Sequence, residues 1–317
     1  MTRVAAVDCG TNSIRLLISE IQEDGKIRDI SRTMEIVRLG QGVDATGEFD
    51  PAALARTRAA LEEYVKQMKF EKVERVRMVA TSATRDAKNH REFFDMTAEL
   101  LGQVQPGARA EVISGEEEAL LSFTGAVADL SSEKGPYCVI DLGGGSTEFV
   151  VGTIEGEILG SHSAQMGCVR LTERMMRSDP PTEAEVEIAT DYVAERMADV
   201  EKIVPIDKAV TFVGCAGTFT TLSALAQGME RYDADSIHGS ELRFDALRVL
   251  TRQMIGLASD VRALNPVIHP GRADVIGGGC VAVEGIMTMI ERNSSARSFF
   301  ISEKDILDGI IAGLATA

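Results

Sequence analysis

Cysteine is scarce and scattered. Cys9, Cys138, Cys168, Cys215 and Cys280 are odd in number, and none forms a C-x-x-C pair. That spacing speaks against a disulfide framework and against a zinc site, and the five read as small core residues. Cys9 and Cys215 fall in candidate site loops, but no histidine is close in sequence to either, which weakens a thiol-nucleophile reading. Positive charge is also short: 33 Lys and Arg face 49 Asp and Glu, a formal net charge of −16. Such a surface disfavours broad nucleic-acid binding, so no nucleic-acid partner is expected. No apolar run approaches the roughly 18 residues of a membrane span. The opening MTRVAAVDCG runs straight into an apolar strand pattern without a signal-peptide core. We therefore expect a cytoplasmic protein without a membrane partner. No stretch is low in complexity.

What is present is ordinary globular material, 44% hydrophobic and 26% charged. Its 317 residues are enough for two domains of about 150 residues each. The most informative stretch is Cys138 to Gly152, CVIDLGGGSTEFVVG. Cys138–Ile140 reads as a buried strand that ends at Asp141, and Phe149–Val151 resumes the apolar run. Gly143, Gly144 and Gly145 between them form a turn that no side chain obstructs. Backbone N–H groups there can converge on one phosphate oxygen, and Ser146 and Thr147 add hydroxyls. Asp141 and Glu148 are carboxylates suited to holding Mg²⁺ or positioning a water. No Gly-Lys-Ser/Thr follows, so this is not a Walker loop. A plain hairpin with a flexible turn fits the same residues.

The pattern occurs twice. Asp8, Gly10, Ser13 and Leu16 match Asp141, Gly143, Ser146 and Phe149, and Arg15 falls where Glu148 falls. Gly25-Lys26-Ile27 matches Gly156-Glu157-Ile158 as a turn, and Val37-Arg38-Leu39 matches Val169-Arg170-Leu171, which we read as a third strand. Each copy continues into a capped helix. The first has Asp50 as N-cap and Pro51 at N1, and the second has Thr182 and Glu185 as a capping box. Each helix leads to a strand, Val76–Ala80 before TSATRDA and Ala209–Val213 before GCAGTFTT. The order β-turn-β-β-α-β-loop thus repeats about 133 residues apart, Asp8 to Asp141, far beyond a solenoid period. It predicts two similar α/β domains facing each other across a central cleft, each presenting one phosphate-type hairpin. We place the domains at 1–124 and 125–300, with a C-terminal helix in 301–317 packing back on the first.

Between the copies, VISGEEEA places Glu116, Glu117 and Glu118 in the first turn of a helix capped by Ser114. Acidic residues there complement the helix dipole, so plain capping is the competing reading. After Gly214-Cys215-Ala216-Gly217-Thr218 the chain reads as mostly helical. It includes Phe219–Gln227, an amphipathic helix over 244–259 and a Gly-rich buried helix within 272–291. Phe299–Ile301 reads as a last short strand.

Taken in order, DCGTNSIRLL, ATSATRDAKN, VISGEEEA, VIDLGGGSTEFV and GCAGTFTTL resemble the Ppx/GppA family of exopolyphosphatases and guanosine pentaphosphate phosphohydrolases. The resemblance spans essentially the whole chain. It implies the actin/Hsp70/sugar-kinase superfold, with ribonuclease H-like domains, in agreement with the duplication. Carried over, it implies a first phosphate loop of Asp8, Gly10, Thr11, Asn12 and Ser13 and a second of Asp141, Gly143, Gly144, Gly145 and Ser146. Arg85 is implied to reach the phosphate chain. Glu118 is implied as the catalytic base, with Glu117 as the fallback. Glu148 would hold the nucleophilic water or the metal, and Asp141 and Asp8 would join it around Mg²⁺ or Mn²⁺. Gly214, Gly217 and Thr218 resemble the nucleotide-facing loop of related kinases.

The family often forms dimers, so a homodimer is expected. Longer members carry a helical extension with an HD-type domain. Its lack here leads us to expect short polyphosphate chains as substrates. The implied activity is hydrolysis of the terminal phosphate of inorganic polyphosphate. Three other readings stay open: a pppGpp 5'-phosphohydrolase, a non-catalytic sensor of (p)ppGpp or polyphosphate, and a kinase of the same superfold.

Overall fold

The computed structural model describes residues 1–316, which divide into two compact units, 1–125 with 306–316 and Ala126–Asp305. The first unit is built on five strands, β1 (Thr2–Cys9), β2 (Ser13–Ile21), β3 (Ile27–Ile36), β4 (Arg75–Ala80) and β5 (Ala110–Val112), in the spatial order β3-β2-β1-β4-β5. The strands β1, β2 and β3 run antiparallel in sequence, and β4 and β5 join parallel to β1. A central strand is covered on both faces, which explains the unbroken apolar run Val4–Val7. Ala5, Val7 and Cys9 face the core that includes Leu54, Leu61 and Val65 of the helix Pro51–Phe70. Val4 and Ala6 face Ile306, Leu307, Ile310 and Ile311 of the helix Ile306–Thr316.

The second unit repeats the plan with β6 (Tyr137–Leu142), β7 (Thr147–Gly152), β8 (Ile158–Ala164), β9 (Thr211–Cys215), β10 (Glu241–Arg243) and β11 (Ser298–Ile301). Its order is β10-β11-β9-β6-β7-β8. The run β8-β7-β6-β9-β11 copies β3-β2-β1-β4-β5, and β10 is appended at the edge. In this copy the helices between Ala216 and Asn293 are inserted between the fourth and fifth strands, so β11 answers β5 from far along the chain. The duplicated α/β architecture predicted from the repeat is what the structure has.

One element differs. Val37–Leu39 and Val169–Leu171 are not third strands; those are β3 and β8. Val37 and Arg38 N–H both donate to Asn12 O (3.1 and 2.9 Å), and Arg38 turns the chain at φ 51°. These bonds fold the segment onto the β1–β2 turn instead of a sheet ladder. In the second copy Val169–Leu171 lie in the helix Cys168–Met175.

The helix ends follow their caps. Asp50 accepts from Ala52 and Ala53 N–H (2.7 and 3.3 Å), and Pro51 needs no partner at N1. At the start of the helix Glu183–Ile203, Thr182 and Glu185 exchange the two bonds of a capping box (3.2 and 2.8 Å). All five cysteines are free and buried. Burial pushes the Cys9 and Cys138 thiols far above their ordinary range and Cys280 up to about 12. No helix among the described residues is long and apolar enough to cross a membrane.

Three expectations can be checked directly. The Thr182→Ala variant should lose about 1 kcal/mol in urea unfolding. The bonds from Thr182 and Ser178 hold the Glu185 carboxyl at about 2, below its ordinary 4.5. Its contribution is thus complete above pH 4.5 and fades as pH falls toward 2. The melting temperature of Glu185→Gln should accordingly vary less than wild type across that window. The native protein should also resist thiol reagents, with all five cysteines reacting only after denaturation. Fast labelling of one thiol in native buffer would contradict the burial described.

Candidate active site

In the first unit the candidate residues gather at the carboxyl ends of β1 and β4. Asp8, the last residue but one of β1, is buried and lies opposite Arg15 on β2. Arg15 donates to Asp8 Oδ2 from Nη2 and Nε (2.8 and 3.1 Å). Cross-strand register creates that pair, because residues directly opposite on an antiparallel ladder share one face. The turn Gly10–Ser13 closes through Gly10 N–H to Ser13 O (3.0 Å). Gly40 packs on it so closely that a Cβ there would lie 2.3 Å from Thr11 Cγ2, so a side chain is excluded.

Past β4, Thr81 N–H returns to Cys9 O (3.2 Å), and the short helix Ser82–Asp86 carries Arg85. Arg85 Nη1 donates to Glu118 Oε2 (2.8 Å) and to Ile113 O (2.9 Å). Its Nη2 is buried with no acceptor in the described chain. Glu118 is itself buried, in the helix Gly115–Ala126 that Ser114 caps by accepting from Glu117 N–H (3.1 Å). Glu117 points elsewhere and forms an ion pair with Arg77 (2.6 Å), which also holds Glu111 (3.1 Å). The structure therefore brings Arg85 and Glu118 together and leaves Glu117 on a charged face. Glu116 is exposed.

The second unit repeats the turn. Asp141 and Glu148 are cross-strand partners on β6 and β7, both buried. Glu148 Oε1 accepts from Ser163 Oγ on β8 (2.7 Å). Gly143 N–H donates to Ser146 O (3.1 Å), the same closure as Gly10 to Ser13. The N–H groups of Gly144, Gly145 and Ser146 donate to no other group of the described residues. Three successive unclaimed N–H groups on one turn are the kind of donor set an anion-binding nest requires.

Two residues escape a reading of motifs. Arg170 Nε donates to Gly145 O (2.7 Å) while its guanidinium is almost fully buried. The signal for it was available, since Arg38 and Arg170 occupy matching Val-Arg-Leu triplets in the repeat. Arg272 lies over the third glycine loop, where a Cβ on Gly217 would sit 1.0 Å from its Nη1. Ala216 in that loop holds φ 69°, a left-handed conformation uncommon for a residue with a side chain.

The side chains with the chemistry to hold a metal are carboxylates. Mg²⁺ is commonly bound through one or two carboxylates plus substrate phosphates and water. The buried pair Asp141 and Glu148 supplies such a donor set. Asp8 is already neutralised by Arg15. Among the described residues no group of three or more His, Cys, Asp or Glu is arranged as an all-protein metal cage.

Comparison with known proteins agrees with this geometry. Residues 17–313 match the model of the Ppx/GppA phosphatase family. The chain is 53% identical to Exopolyphosphatase 2 of Mycobacterium tuberculosis, over 99% of each chain. It is 30% identical to a guanosine-5'-triphosphate,3'-diphosphate pyrophosphatase of Pseudoalteromonas atlantica, covering 98% of this chain and 58% of that protein. Among solved structures, an exopolyphosphatase-like protein superposes with a TM-score of 0.92 at 37% identity, over 99% of both chains. The paired glycine turns and the Arg85–Glu118 couple therefore stand in a member of the Ppx/GppA phosphatase family.

Proposed function

We propose that the protein is an exopolyphosphatase, hydrolysing the terminal phosphoanhydride bond of inorganic polyphosphate, with short chains preferred. The observation that carries this reading is the Gly143–Ser146 turn, whose N–H groups at Gly144, Gly145 and Ser146 are left unclaimed by the fold. The full-length likeness to an exopolyphosphatase supports it. Phosphoryl transfer needs positioning and charge stabilisation more than covalent chemistry, and such a turn offers both. In this reading Gly10, Thr11, Asn12 and Ser13 are the phosphate-binding residues of the first repeat.

Glu118 accepts the proton of the attacking water, as a buried carboxylate can when held in one orientation. Arg85 orients that carboxylate through Nη1 and offers Nη2 to a phosphate oxygen. Asp141 and Glu148 would hold Mg²⁺ or Mn²⁺, while Asp8 is engaged by Arg15. The ion would supply neutralising charge to the phosphate chain, which a protein of net charge −16 otherwise repels. We further propose a cytoplasmic location, from the sequence pattern, and a homodimer, from the family resemblance. Hydrolysis of the 5'-terminal phosphate of pppGpp is the second reading, favoured by the likeness to the Pseudoalteromonas protein. Its terminal chemistry is the same.

Phosphate release with Mg²⁺ from tripolyphosphate, long polyphosphate and pppGpp separates these readings. Release fastest from tripolyphosphate is the expected outcome, and release from pppGpp alone would replace it with the second reading. Glu118→Gln should lower kcat by about 10²-fold or more. Glu117→Gln should stay near wild type, because its carboxylate is engaged by Arg77. The reverse ranking would move the base to Glu117. Arg85→Ala should raise KM as well as lower kcat.

A further inference from the structure

We infer that the helix Cys168–Met175 aims the phosphate-facing N–H groups of the Gly143–Ser146 turn, and that Arg170 is the positioning residue that completes this clamp. The inference rests on the phosphate-binding reading of that turn. Cys168 N–H donates to Gly143 O (3.1 Å), and Val169 and Arg170 N–H both donate to Gly144 O (2.9 and 3.1 Å). Arg170 Nε donates to Gly145 O (2.7 Å). Three consecutive carbonyls of the turn are thereby taken by one helix.

A trans peptide unit is planar, with its C=O and the following N–H pointing in opposite directions. Fixing the carbonyls of Gly143, Gly144 and Gly145 toward the helix therefore directs the N–H groups of Gly144, Gly145 and Ser146 away from it. Those are the three N–H groups the fold leaves unclaimed. A helix begins with N–H groups that lack intrahelical partners, and they are often met by a capping side chain. Here the N-cap is Gly167, which makes no side-chain bond, and the carbonyls of the turn take that place.

Two details show that the contact is closely built. A Cβ on Gly167 would lie 2.4 Å from the carbonyl carbon and oxygen of Gly144, so only glycine lets helix and turn meet. The Arg170 side chain is almost fully buried and also donates to Gln165 Oε1 (3.3 Å). The need is plain from the sequence, since three successive glycines have more backbone freedom than any other triplet. Without a clamp their N–H groups would not hold the preorganised arrangement that stabilises developing charge. The first repeat uses the same device in backbone form, with Val37 and Arg38 N–H on Asn12 O and Gly40 N–H on Thr11 O.

The test combines kinetics with backbone dynamics. With tripolyphosphate and Mg²⁺, Arg170→Met should lower kcat by about 10²-fold, the scale of one lost oxyanion donor, with KM within about threefold. Arg170→Lys, which keeps an N–H donor, should recover about tenfold of that loss. Gly167→Ala should act in the same direction without touching Arg170. Melting temperatures measured alongside give the folded fraction, and rates are taken per folded molecule. In the substrate-free protein, amide order parameters of Gly144 and Gly145 should fall from about 0.85 in wild type to about 0.6 in Arg170→Met. An unchanged kcat in Arg170→Met and Gly167→Ala, or unchanged order parameters in Arg170→Met, would overturn the clamp. A wild type that releases no phosphate would defeat the hydrolase reading alone, because the order parameters still judge the clamp.

Discussion

The constraint on which the rest depends is a short bond across a turn, Gly10 N–H to Ser13 O in one repeat and Gly143 N–H to Ser146 O in the other. Each turn leaves the carboxyl end of a strand buried on both faces, β1 or β6, whose neighbours run antiparallel on one side and parallel on the other. The antiparallel partner allows so tight a return. The parallel partner brings the loop after β4 or β9 to the same end of the sheet. Arg85 and the Gly214–Thr218 loop owe their positions to that parallel pairing.

An acidic protein that binds a polyanion has to do so with local groups. Long-range attraction is unfavourable at a net charge of −16, so on-rates gain nothing from steering. Directed N–H groups, one partly unsatisfied guanidinium and carboxylates fit for a divalent ion act only at short range. Their geometry therefore matters more than their number. The cross-strand carboxylate pair Asp141 and Glu148 has as its counterpart the ion pair Asp8 and Arg15, so the duplicated hairpins have diverged in charge at one position. One turn is stabilised by an internal salt bridge, and its copy keeps two carboxylates.

Much of the architecture was legible because the repeat is strong where burial is strongest. Val4–Cys9 and Tyr137–Leu142 are central strands, and their apolar runs admit few alternatives. Asp50-Pro51 and Thr182 with Glu185 mark helix starts by local chemistry that tertiary structure did not override. Val37–Leu39 and Val169–Leu171 were misread for a definite reason. A Val-Arg-Leu triplet, apolar and polar by turns with a β-branched residue, suits a strand equally well, and only the nearby carbonyls of the turn recruit these N–H groups away from a sheet. The pairing of β11 with β9 was hidden by the long helical insertion, because sequence distance says nothing about which sheet position a late strand fills.

By itself the sequence determined the family, the duplication, the glycine turns and the set of chemical groups at their ends, because short-range propensity and motif order suffice for these. It ranked Glu118 above Glu117 only through the family resemblance, since the two are one residue apart on the same helix turn. Tertiary structure separated them, since a helical step of about 100° swings one carboxylate to Arg77 and the other to Arg85. It likewise turned Arg170 from one arginine among many into the residue that holds Gly145. Both outcomes depend on contacts between segments distant in sequence, and the direction of a side chain or peptide plane is settled only when those segments meet.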